Sequence, residues 1–164
     1  MKAPKLLLLG IAALAFSVSV RAADATATAS ATIITPMSIS KTADMNFGYL
    51  SVGASAGTVV LAPAGTRTYT GGVTLLSGGT VTAAAFTVTG SGSMTYSITL
   101  PTSVTLTSSG NTMTANTFTS TPSGTGTLSS GSQALEVGAT LNVGANQAAG
   151  AYTSSNFTVT VAYN

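Results

Sequence analysis

The chain has 164 residues, enough for one domain, with no Cys, no His, no Trp and only 5% charged residues. The missing Cys excludes disulfides, thiolate zinc sites and iron–sulfur clusters, and the missing His removes the commonest metal ligand and general base. Those absences put structural or assembly roles ahead of catalytic ones.

In chain order, Met1-Lys2-Ala3-Pro4-Lys5 is a short basic start, followed by the apolar stretch Leu6 to Val20 and the small-residue site Val20-Arg21-Ala22. This is the pattern of a secretory signal peptide over residues 1–22, too short for a membrane span. It implies export. Of the five cations, only Lys41 and Arg67 follow the leader, against Asp24, Asp44 and Glu136, a net charge of −1. Nucleic-acid binding needs clustered cations and has no support here. Hydration falls to 30 Thr and 19 Ser over residues 23–164. So few charges leave little electrostatic objection to packing against further copies.

Past the leader, apolar residues recur at every second position, the period of half-buried β-strands. Residues 23–35 form an extension in which Ala25, Ala27, Ala29, Ala31 and Ile33 share one side, and residues 36–164 form the body. Expected strands in the body are Met37 to Ile39, Met45 to Leu50, Thr58 to Leu61, Thr66 to Leu76, Thr80 to Thr89, Met94 to Leu100, Val104 to Thr107, Thr112 to Phe118, Gln133 to Val143 and Tyr152 to Tyr163. Gly71-Gly72, Gly78-Gly79 and Pro122-Ser123-Gly124 read as breaks. The fold expected is an all-β antiparallel sandwich. Phe47, Val60, Val73, Val88, Leu135, Leu141 and Val159 are among the residues expected to point inward. An eight-stranded membrane barrel fits less well, because it wants apolar outer bands and aromatic girdles.

Reactive constellations are sparse. Gly53-Ala54-Ser55-Ala56-Gly57 matches a nucleophile elbow, but no His exists to take the Ser55 proton, so the segment reads as a small-residue turn. The three acids could supply a glycosidase carboxylate pair such as Asp44 with Glu136, but nothing in the sequence brings the two together. No cluster of acids suits calcium, and Asn156-Phe157-Thr158 is a chance sequon inside an expected strand. The expectation is no enzyme, no metal and no cofactor.

The two ends are complementary. Phe157, Val159, Val161 and Tyr163 make a long apolar row on the last strand, with no later strand to cover it. Ahead of Pro36 stands an alternating peptide able to fill such a groove, and proline separates it from the body because it cannot join a ladder.

The stretch PMSISKTADMNFGYLSVGASAGTVVLAPAGTRTYTGG and the ending GANQAAGAYTSSNFTVTVAYN resemble the bacterial family named domain of unknown function 4402, with ISKTADMNFG and AGTRTYTGG as the more specific pieces. More distantly, the NFG strand and AGAYTSSNFTVTVAYN are similar to chaperone–usher fimbrial subunits of the spore coat protein U and Mat/Ecp types. That similarity implies an incomplete immunoglobulin-like sandwich completed by donor-strand addition. Ala25, Ala27, Ala29, Ala31 and Ile33 would be the donor plugs, and Phe157, Val159, Val161 and Tyr163 would flank the acceptor groove. The partners implied are a periplasmic chaperone, which pairs with the last strand and holds the Asn164 carboxylate, an outer-membrane usher, and further copies of the chain. By burial, Ile33 would contribute as much as two or three of the alanines, at roughly 0.8 kcal/mol per methyl and about 2–3 kcal/mol for Ile. The competing reading is a self-complete secreted or surface sandwich that binds a glycan or a protein, with Ala25 to Ile33 paired inside its own domain.

Overall fold

The computed structural model describes residues 21–164. The leader assignment therefore lies, except for its last two positions, outside the described residues. The chain divides into two units, one ending at Thr32 and the other running from Ile33 to Asn164. Residues 21–32 carry no secondary structure and are all exposed.

The second unit holds eleven strands among the described residues: β1 (Ser38–Ala43), β2 (Leu50–Leu61), β3 (Arg67–Leu75), β4 (Ala84–Thr89), β5 (Thr95–Thr99), β6 (Ser103–Ser108), β7 (Asn111–Thr121), β8 (Thr125–Thr127), β9 (Ser132–Val143), β10 (Thr153–Ser154) and β11 (Thr160–Tyr163). Thr and Val dominate them, since β-branched side chains suit a pleated surface. All the pairings are antiparallel. One sheet runs β1-β4-β9-β7-β6-β10, with β2 also on β9 and β3 on β2; the other is β11-β5-β8. The order β1-β4-β9-β7 facing β5-β11 is the A-B-E-D against C-F arrangement of an immunoglobulin-type sandwich.

β9 organises the body. Leu135, Val137, Ala139, Leu141 and Val143 all point inward and are buried. One edge of β9 pairs with β7, while the other pairs first with β4 over Ser132–Val137 and then with β2 over Ala139–Val143. Gly138 sits at this handover, where a Cβ would overlap the Leu61 carbonyl oxygen, so the crossing requires a bare backbone. The handover also divides the core. Leu135 and Val137 pack with Val88, Tyr96, Leu128 and Val159 between the two sheets, whereas Leu141 and Val143 pack with Val59, Leu61, Val73 and Met113 inside the curl of the larger sheet. Met45 and Phe118 touch both clusters.

Several local expectations change. Gly53 to Gly57 is a bulge within β2 rather than a turn: register passes from Val52↔Val73 directly to Gly57↔Gly71, and Gly71-Gly72, expected as a break, lies inside β3. Glycines on both strands allow this, because a Cβ at Gly57 would overlap the Thr70 carbonyl and one at Gly71 the Ala56 carbonyl. The bulge also resets the alternation. Val59 and Leu61 are fully buried, and Val60, expected inward, is 39% exposed. Met45 to Leu50 makes only the single bridge Asn46↔Thr82 before β2 begins. The run Tyr152 to Tyr163 is two strands in different sheets, β10 on β6 and β11 on β5, separated by an unpaired stretch from Ser155 to Val159.

Candidate functional site

Between residues 41–52 and residues 147–157 lies a cavity of about 1260 Å³. Its floor is the inner face of the larger sheet: Leu141 and Val143 from β9, Met113 and Ala115 from β7, Leu106 from β6 and Phe86 from β4. Each wall includes a stretch outside the strands, residues 44–49 with the single bridge Asn46↔Thr82 in the first and residues 147–152 and 155–157 in the second. The smaller sheet has three strands and packs on the other core cluster, with Val88, Leu135 and Val137.

The first wall is built by the residues after β1. Asn46 Oδ1 accepts the Gly48 amide at 2.8 Å, and Gly48 takes φ +68°, so the chain turns sharply there. This turn drops the Phe47 ring into the core at 8% exposure. Arg67 from β3 then fastens the turn. Its Nη1 donates to the carbonyl oxygens of Phe47 at 2.5 Å and Tyr49 at 3.2 Å, and its Nη2 donates to that of Leu76 at 3.2 Å. A planar, permanently charged fork suits three carbonyls in this way. The two specific sequence pieces, ISKTADMNFG and AGTRTYTGG, thus meet through one side chain.

The second wall follows β9. Asn146 N donates to Gly53 O at 2.9 Å, and Gln147 Nε2 donates to Thr112 O at 3.1 Å and to Tyr152 Oη at 2.8 Å. Tyr152 Oη donates in turn to Ala148 O at 2.8 Å. After the two residues of β10, the chain crosses to the other sheet, with the Phe157 ring 5.4 Å from that of Phe118 at 49°. Ser155 to Thr158 also border a second hollow of about 560 Å³ beside Leu100 and Pro101. Ser155, Asn156 and Phe157 therefore border both hollows.

Of the expected acceptor row, Phe157 lines the cavity, Val159 is buried at 7% exposure between the sheets, and Val161 and Tyr163 are half-buried on β11. β11 pairs with β5 alone, so its other edge is unpaired among the described residues. Tyr163 ends the row: its hydroxyl accepts the Ser91 amide at 2.6 Å and donates to Thr35 O at 2.9 Å. Of the expected plugs, Ala25, Ala27, Ala29 and Ala31 are exposed and outside any strand. Ile33, the first residue of the body unit, is 97% exposed, and its neighbour Ile34 is 40% exposed.

The groove carries little charge. Lys41 and Asp44 at its rim form an ion pair at 2.6 Å whose side chains are 55% and 81% exposed, a solvated pair of small energetic value. Glu136 is on β9 between inward-facing Leu135 and Val137, so it faces out, away from the cavity that Asp44 borders. Ser55 is exposed in the β2 bulge. Among the described residues no group of three His, Cys, Asp or Glu could hold a metal, and no helix is long and apolar enough to cross a membrane.

Periodicity pointed to the last strand and missed the cavity floor, since Leu106 and Leu141 read simply as core positions and Met113 was not singled out. Arg67 carried a signal that was available: it is one of two cations in residues 23–164 and sits in a specific motif. No curated protein and no solved structure matches the chain. A family model does match, over residues 37–163, which includes every strand described here. The chain belongs to the family described as a domain of unknown function (DUF4402).

Proposed function

We propose that the chain is a non-enzymatic structural subunit of a surface fimbria or similar polymer, which assembles by donating its N-terminal extension as a strand to a neighbouring subunit. The observation that carries this reading is the groove itself. Two partly paired walls flank an apolar floor, and elsewhere in the body β11 presents an open edge. An open edge over an uncovered core is a template for strand addition, in which backbone bonds give affinity and alternate side chains fill pockets. The exposed Ile33 and the alternating alanines before it supply a strand of matching, uncharged character. On this reading the subunit is exported, a periplasmic chaperone protects the groove, and an outer-membrane usher exchanges that chaperone for the next extension.

The test is deletion of Ala23 to Ile33, with surface extracts run on gels without heating. The reading predicts that a high-mass ladder present for the full chain vanishes with the deletion. A monomer alone in both samples overturns it.

A further inference from the structure

The face of the larger sheet turned away from the cavity carries an ordered polar array. Cross-strand pairing sets Thr70, Thr58, Asn142, Thr114 and Thr105 side by side in one row across β3, β2, β9, β7 and β6. The adjoining Val59, Leu141 and Ala115 are buried, so alternation turns this row to the opposite side. A second row, from Thr68 on β3 to Ser103 on β6, runs two residues along and pairs Asn116 on β7 with Thr140 on β9. Across both rows the one large apolar side chain is Val60, and no residue is charged. At its β6 end the array runs into the hollow of about 560 Å³, which Ser103 and Thr105 border together with Asn156 and Thr158.

Two local preferences are broken at one point in the array. Asn is depleted in strands, yet Asn116 and Asn142 stand on the adjacent strands β7 and β9. Thr117, β-branched and exposed, takes φ +49° in the bulge between Asn116 and Thr119. Departures of this kind gather at functional sites. Asn142 Nδ2 donates to Thr114 O at 3.0 Å and to Asn116 Oδ1 at 3.1 Å, and Thr117 Oγ1 donates to Asn116 Oδ1 at 3.3 Å. Asn116 Nδ2 and Asn142 Oδ1 have no partner among the described residues, which leaves a free donor and a free acceptor on neighbouring strands.

We infer that this face binds a neutral, extended glycan, whose hydroxyls meet Asn116, Asn142 and the Thr hydroxyls beside them. A donor next to an acceptor suits hydroxyl groups, each of which does both. With no charge in either row, a charged polymer finds no ion partner there. A second protein sheet fits poorly, because a protein interface buries an apolar centre and Val60 alone offers one. Strands lie about 4.8 Å apart, close to the length of one ring in a β-linked glycan, and the five-strand row spans about 19 Å. The sheet twists, which a single chain can follow and a rigid flat surface cannot. Each bond replaces one to water, so a single copy binds weakly.

None of the array's residues lines the large cavity, so the test is independent of strand donation. The full-length exported chain, isotopically labelled for NMR, is titrated with cellopentaose, a neutral β-linked chain, and with maltopentaose, its α-linked and coiled isomer. The inference predicts saturable shifts with cellopentaose, centred on the side-chain amides of Asn116 and Asn142, and at least threefold weaker binding of maltopentaose. Asn116→Asp keeps the acceptor that Asn142 uses and removes the free donor, and Thr114→Val removes a row hydroxyl at nearly constant shape. Each should weaken cellopentaose binding at least threefold with the core amide resonances in place. No shifts, shifts confined to cavity residues, or full binding by both variants overturns the site. Equal binding of maltopentaose overturns the choice of an extended chain. Shifts of the same amides with protein concentration alone overturn the inference in favour of a second copy on this face.

Discussion

Arg67 and Phe47 lie twenty residues apart and are joined by a hydrogen bond from the guanidinium to a backbone carbonyl, at the point where the chain leaves β1 to form one wall of the groove. The same guanidinium reaches Tyr49 O and Leu76 O, so one cation holds the turn after β1 against β3 and the segment after it. Arg67→Met keeps much of the apolar stem and removes all three bonds. Hydrogen bonds to a charged donor contribute about 1.5–3 kcal/mol, reduced where water can replace them. A loss near 2 kcal/mol is expected, read as a melting temperature lower by roughly 5–10 °C. Arg67→Lys should recover only part of it, since an ammonium lacks the fork.

Tyr163 and Thr35 form the second tie, which binds the end of β11 to the start of the body. Tyr163→Phe removes this bond and the one from the Ser91 amide while leaving the ring in place. The expected cost is about 1–2 kcal/mol. Hydrogen exchange should accelerate at the Ser91 amide with little change in the strands of β9.

Gly138 marks the crossing of β2 and β4 on the edge of β9, and its added Cβ would overlap backbone rather than a movable side chain. Gly138→Ala should be severely destabilising, by about 3 kcal/mol or more, or should prevent folding. Gly53→Ala is the control: nothing lies within 4 Å of its added Cβ, and its melting temperature should match that of the parent.

Tyr96 is fully buried, and its hydroxyl donates to Gln133 Oε1 at 2.8 Å. Burial raises its pKa above the ordinary tyrosine value. A group whose native pKa is raised gives stability that is complete below the unfolded pKa and is lost as pH climbs toward the native one. Denaturation midpoints should therefore be flat with respect to this group through neutral pH and decline above about pH 10. In Tyr96→Phe that alkaline decline should shrink, on top of a modest loss at neutral pH from the missing hydrogen bond.

Much of the architecture was legible as alternation, because a two-residue period has one structural meaning wherever one face is buried. β4 and β9 follow it closely, and the inward assignments of Val88, Leu135 and Leu141 agree with their burial. Alternation failed where the backbone departs from a simple ladder. The Gly53–Gly57 bulge shifted the phase, so Val59 rather than Val60 faces the core. The last run looked continuous from Tyr152 to Tyr163, yet Ser154-Ser155-Asn156 lets the chain leave β6 and cross to β5. Neither the cavity floor nor the three carbonyls gathered by Arg67 could be read locally, since each is assembled from residues tens of positions apart.

The most direct measurement adds the missing strand in trans. A chain lacking Ala23 to Ile33 is melted alone and with increasing amounts of a peptide spanning Ala23 to Thr35. The account predicts a melting temperature that climbs with peptide concentration, as binding to the native state alone requires, and no rise with an Ile33→Asp peptide. A melting temperature that stays constant at every peptide concentration would contradict it.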